Sequence, residues 1–320
     1  MEPEYFSTVY DFDISKEERA RYHGTKIGFL LGEGFVLKNK PRTTFVLGKD
    51  TEGKYLTADL AELGSLIIVG EDGSPIIGDD KSGRFNYIES LVAEYLVNTM
   101  ANEDRLILIG NRIDWYHCRD LPTSYVTVID DPGAAVETMN NLLYNELVDR
   151  YMLFDHTEDE KQDPVGWIEA FNRIMKKRGD KEMPYIMVVI NELEELMRRN
   201  PEDTEEAIYR LAKLGRSLGI FLVVCTRHPE DNVLTERIKK GIPAKIAFRL
   251  KDEKESIAIL GSSGAETLAG KGDLLFHLDK RHPIMHLQAA LLGLESMDNI
   301  IWHYIELKKT INQTVRKSEV

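Results

Sequence analysis

Short apolar runs recur along the chain at intervals that leave room for one helix between each pair. They are Leu66–Val69, Arg105–Ile109, Tyr125–Ile129, Tyr185–Ile190, Ile220–Cys225 and Ala244–Leu250. Each is rich in β-branched residues and too short for a buried helix, as central parallel strands are. The stretches between them predict helices over Asn86–Thr99, Gly133–Phe154, Gly166–Lys177 and Thr204–Leu218. Asp130 to Gly133, with Pro132 inside, reads as the cap of the second of these. Strand and helix in alternation imply an α/β fold, a mostly parallel sheet with helices on both faces. Ahead of it, Thr44–Asp50 and Lys54–Leu60 predict paired strands. Residues 1–25 read as a polar arm with a short helix, and Lys26–Leu37 as a hairpin. The acidic run His156–Asp163 reads as a solvated loop, and Ser296–Arg316 as a last helix. The chain thus divides into an extension (1–43), a core (44–295) and a C-terminal helix with its tail (296–320).

Composition narrows the class. The 320 residues are 42% hydrophobic, enough for a sizeable core, and 30% charged, which reads as globular. No run approaches the roughly 18 apolar residues of a membrane span, and the start is acidic where a secretory signal would be basic. Two cysteines, Cys118 and Cys225, make neither a disulfide framework nor a zinc set. A cytoplasmic chain with reduced thiols is the expectation. A net charge of −13, from 54 acidic and 41 basic side chains, argues against bulk electrostatic binding of nucleic acid. Lys239-Lys240 and Lys251–Lys254 are the local basic spots, and both read as ordinary solvated charges.

Candidate chemistry lies in two segments. After the run Leu66–Val69 comes a glycine-rich stretch from Gly70 to Gly83 that feeds a helix, the arrangement that receives phosphates. Gly78 and Gly83 keep both glycines of G-x-x-x-x-G-K-[ST], but Arg84 stands for the lysine and Phe85 for the hydroxyl residue. A phenylalanine cannot ligate Mg²⁺, and an arginine is a longer planar fork than lysine. Glu71, Asp79 and Asp80 would repel a triphosphate, so taken alone this stretch is better read as a plain glycine-rich surface loop. The second segment is the run Tyr185–Ile190 ending in Asn191 and Glu192. An aspartate there would hold Mg²⁺; Asn191 carries no charge, while Glu192 remains available as a base.

The two segments belong to a wider pattern that resembles the motor domain of the FtsK/SpoIIIE DNA translocase family. The matching strings run in order: Phe45–Asp50 with Thr57–Ala61, Ser82–Val92, Met183–Met197, Glu205–Ile220, Cys225–Pro229, Ile242–Arg249 and Gly264–Phe276. The resemblance covers roughly Thr44 to Leu294. It implies a RecA-like P-loop NTPase core, assembled as a hexameric ring, with ATP and Mg²⁺ between neighbours. Double-stranded DNA would occupy the pore, or an exported protein in the related type VII secretion motors. The departures fall on the nucleotide positions. The family's phosphate lysine maps to Arg84 and its hydroxyl residue to Phe85, with Gly78, Ser82 and Gly83 before them. Its metal-binding aspartate maps to Asn191 and its base to Glu192. Its sensor glutamine maps to Arg227, with His228 after it, and Lys245 stands where an arginine acting across the ring interface is usual.

Retained scaffold strings with altered site positions imply a pseudo-ATPase, a structural or regulatory ring subunit working beside an active partner ATPase. Two further readings stay open: an active ATP-dependent double-stranded DNA translocase, and a protein-coupling module that uses the motor fold as a docking platform. His117 with Cys118 lacks a second ligand pair and reads as structural.

Overall fold

A computed structural model describes residues 7–8, 40–71, 83–99, 102–111, 113–155, 167–289, 300–302, 304–306 and 308–309. The expected arm helix and hairpin, the acidic loop His156–Asp163, Gly78 and Ser82 lie outside these residues, as does much of the expected last helix.

The described strands form one eleven-stranded sheet. In chain order they are β1 (Ser7–Thr8), β2 (Thr44–Lys49), β3 (Tyr55–Asp59), β4 (Ser65–Val69), β5 (Arg105–Ile109), β6 (Val126–Ile129), β7 (Ile186–Ile190), β8 (Ile220–Thr226), β9 (Ala244–Ala247), β10 (Asp273–His277) and β11 (Met285–Gln288). Their spatial order is β1-β3-β2-β11-β10-β9-β4-β8-β7-β5-β6. From β9 to β6 every pairing is parallel. From β10 outward every pairing is antiparallel. All residues of β4, β7 and β8 are buried, so both faces of the sheet are covered there, as parallel strands require.

The expected β2–β3 pair is present, with a register shift between Val46 and Gly48. The parallel strands fall where the apolar runs predicted, except that β9 ends at Ala247. Phe248 makes a last rung by donating to Val69, and the chain then leaves the ladder, Leu250 donating to Ala265. The antiparallel β10 and β11, and the helices Leu193–Arg199 and Glu253–Leu260, were not predicted as elements.

Helix α1 (Leu60–Leu63) is one turn capped by Asp59, and α2 (Arg84–Thr99) follows the phosphate-loop candidate. Helix α2 is buried on nearly every face, so it is a core element and not an amphipathic surface helix. Its Glu94 accepts from the Val46 amide at 2.7 Å, and its Tyr87 hydroxyl donates to the Val46 carbonyl at 3.2 Å. Both polar groups of a backbone unit beside the bulge are thereby met by side chains. Helix α3 (Pro132–Asn141) begins at its expected cap, Asp131 accepting from Ala134 at 2.8 Å. It continues through a π turn, Leu142–Glu146, into α4 (Leu147–Asp155). Helices α5 (Trp167–Arg178), α6 (Leu193–Arg199), α7 (Pro201–Leu214), α8 (Glu236–Gly241) and α9 (Glu253–Leu260) follow, and the described residues between 300 and 309 are helical, as expected of the last helix.

Both cysteines are buried, Cys225 within β8 and Cys118 in a 3₁₀ turn after β5. Among the described residues no group of metal-ligating side chains gathers, and no helix is long and apolar enough to cross a membrane. Of the basic spots, Lys239 is not a solvated charge. It is buried, with its ammonium 2.8 Å from Asp231 and 2.7 Å from Glu236.

Candidate functional site

Strand β4 ends at Val69, followed by Gly70, and α2 starts immediately after Gly83. Gly83 has a φ of 84° and lies against the turn Gly270–Gly272; a side chain there would run into the Gly272 backbone. Only glycine suits both demands. The string Gly270–Asp273, far away in sequence, is therefore part of the loop's seating. Glu71, expected to repel phosphates, is turned aside, its carboxylate 3.2 Å from the Arg249 guanidinium.

Arg84 and Phe85 open α2, and both are buried. The Arg84 guanidinium reaches across to the end of β7 and donates from Nη1 to Asn191 Oδ1 at 3.2 Å. The strand between them, β8, contributes Cys225, whose thiol feels the Arg84 charge. Asn191 is 2% exposed, and its Nδ2 donates to Asp114 Oδ2 at 2.9 Å. Arg84 and Asn191 are thus partners, and both ends of the Asn191 amide are engaged.

Glu192 follows with a left-handed backbone, φ 61° and ψ 56°. A non-glycine residue pays about 1–2 kcal/mol for that conformation, and such strain gathers at functional positions. Its side chain is part-exposed, with Oε1 3.6 Å from Arg227 Nη2. Arg227 also donates from Nε to Glu194 Oε1 at 2.9 Å, and Glu194 Oε2 accepts from the Thr226 hydroxyl at 2.7 Å. The end of β8 is in this way fastened to the first turn of α6.

Asn191 and Glu192 line a cleft of about 330 Å³ at the carboxyl ends of β5, β6 and β7, with Gly110, Asn111, Asp130 and Glu195 among its walls. The carboxyl edge of a parallel sheet is where α/β folds take ligands. Lys245 is not part of this group. It lies within β9, level with Ile67 and short of Gly70, and its Nζ donates to the Pro243 carbonyl at 3.2 Å. Burial, and then the neighbouring charge of Lys239, lowers its pKa.

Gly83, Arg84, Phe85, Asn191, Glu192 and Arg227 therefore converge at the ends of β4, β7 and β8. Sequence reasoning missed Asp114, Glu194 and Gly110. A polar turn after a strand carries no signal that one of its carboxylates will meet a residue on another strand.

The chain is similar to several known proteins. The FtsK/SpoIIIE family profile matches residues 36–231, more than half of the chain. The DNA translocase FtsK of Clostridium tetani is 31% identical over 259 residues, 80% of this chain and 33% of that protein. The chain spans about a third of the length of the curated relatives it matches. The pCW3 conjugation coupling protein TcpA, solved with ATPγS, superposes with a TM-score of 0.65 at 22% identity, over 84% of this chain and 72% of that one. The cytoplasmic domain of the type VII secretion ATPase EccC from Thermomonospora curvata gives 0.66 at 19% identity, over 84% of this chain and 32% of that one. These neighbours share the RecA-like P-loop ATPase fold. The chain belongs to the FtsK/SpoIIIE family.

Proposed function

We propose that this chain is a motor-fold subunit whose nucleotide site does not turn over, a structural or regulatory member of a ring that works beside an active ATPase. The observation that carries the reading is the hydrogen bond from Arg84 to Asn191. The cation at the phosphate-lysine position is directed into the sheet, and the amide at the metal-aspartate position has both ends engaged. Phe85, buried where a hydroxyl would ligate, adds no oxygen. These residues do not fit Mg²⁺. Loss of one transition-state contact typically costs about 10²–10³ in rate, and several are altered together here. The α2 N-terminus still offers backbone donors to a phosphate, so nucleotide binding without hydrolysis is compatible with this reading.

A second reading, a working double-stranded DNA translocase, is favoured by one observation. Glu192 keeps its place as a base, facing the cleft from a strained backbone. Steady-state phosphate release with Mg²⁺-ATP, with and without long double-stranded DNA, separates the two against Glu192→Gln. The silent-site reading expects background release in every condition. Release that DNA stimulates and Glu192→Gln abolishes would overturn it in favour of translocation.

A further inference from the structure

Asn191 is held between two groups of opposite kind. A carboxamide has one accepting end and one donating end of nearly the same shape, so its orientation is set by its partners. Arg84 can only donate, and it faces Oδ1. An ionised Asp114 can only accept, and it faces Nδ2. Turning the amide over would set a donor against the guanidinium and an acceptor against the carboxylate. Asn191 is therefore a neutral bridge between a cation on α2 and an anion in the turn after β5.

The described residues of that turn are tied to the core. Trp115, 1% exposed, anchors it in the core next to Asp114. Asn111 accepts from both Ile113 and Asp114, at its side chain and its carbonyl, each at 3.0 Å. Gly110 lets the turn come close: a Cβ there would lie 3.0 Å from the Asn191 carbonyl oxygen and 3.1 Å from the Trp115 ring nitrogen.

We infer that Asp114 is a positioning residue that makes a metal-binding carboxylate unworkable at position 191 and keeps the Arg84–Asn191 contact in one orientation. An aspartate at 191 would set one of its oxygens where Nδ2 now meets Asp114, and two carboxylates at that separation repel. The substitution at 191 and the carboxylate at 114 are therefore one device. This deepens the silent-site reading, and rests on it only for the correspondence of position 191 with the family's metal-binding residue.

The test is a charge-swap cycle on the full chain, read by thermal unfolding: wild type, Asn191→Asp, Asp114→Asn and the double variant. Asn191→Asp is expected to lower Tm by several degrees. The double variant is expected to regain most of that loss, because the carboxylate introduced at 191 would accept from Arg84 and from an amide at 114. A residue with a merely structural role at 114 gives no such reciprocal rescue. A double variant no more stable than the sum of the single effects overturns the inference. Should Asn191→Asp fail to fold, Asp114→Ala is compared in the wild-type and Asn191→Ala backgrounds; an equal cost in both overturns it, and a smaller cost in the second supports it. Phosphate release by the wild type would sink the silent-site reading and leave this cycle standing. Failure of the rescue would do the reverse.

Discussion

Glu94 shows what burial does to a single ionisable group. It lies on a helix with almost no exposed face, and its carboxylate accepts from a backbone amide of β2. Burial pushes its pKa up from 4.5 to about 8, with the Val46 amide opposing the rise. Tyr87, beside it, is raised by burial and then by Glu94 itself. A raised carboxyl pKa means that the folded chain holds a proton that the unfolded chain releases. The associated stability is fully present below the ordinary carboxylate range and is lost as pH rises through about 8. The limiting slope is about 1.4 kcal/mol per pH unit for one group. Urea unfolding between mildly acidic and mildly alkaline pH is expected to show falling stability in the wild type and a flatter profile in Glu94→Gln. Equal slopes for the two proteins would remove Glu94 as the cause. The candidate residues Arg84, Phe85 and Asn191 were legible in the sequence. Their consequence was not, because Arg84 and Asn191 are 107 residues apart and meet only through the strand order.

Elements divide by how their sequence advertises them. Strands β4, β5, β7 and β8 are continuous apolar runs and were legible to within a residue or so at each end. Helix α3 was legible from its Asp-Pro start, and the cap forms as read. Strand β10 alternates buried and half-buried residues, and β11 has only Leu287 fully buried, so neither gives the apolar run that marks the parallel strands. Helix α6 is seven residues long and half charged, too short for a period to show. The α3 cap gives a prediction at this scale. Asp131→Ala removes the acceptor for Ala134 and is expected to cost about 1 kcal/mol of unfolding free energy in denaturant titration. A change within error would mean that Pro132 alone fixes the helix start.

At the scale of the molecule the sheet has two halves of different character. In the parallel half β4, β7 and β8 are buried on both faces, while in the antiparallel half β11 meets β2 at one registered pair, Gln288 with Lys49. Additional fastening of β2 comes from α2, through Glu94, Tyr87 and Asn98, the last donating to the Thr44 carbonyl at 2.9 Å. Units with fewer ladder bonds open at lower free energy. Hydrogen exchange is therefore expected to protect β7 and β8 longest and to release β2 and β3 earlier, with Glu94→Gln changing the second group and not the first. Uniform protection across the sheet would show one cooperative unit. The parallel core was legible because its strands each carry their own signal. The antiparallel half was legible only at the β2–β3 hairpin, since the crossing from β3 to β4 and the return of β10 depend on contacts distant in sequence.

The two buried thiols give the chain an internal reporter of its own opening. Burial raises both pKa values to about 12, so neither Cys118 nor Cys225 presents a thiolate to an electrophile while its surroundings stay closed. They stand in different settings: Cys225 in the centre of the parallel sheet, Cys118 in a turn at the end of β5. A maleimide dye added to the native chain is expected to modify Cys118 first, at the rate at which that turn lifts. Cys225 should follow only when the sheet itself comes apart, so that mass spectrometry of the time course separates a local fluctuation from global unfolding without any introduced label.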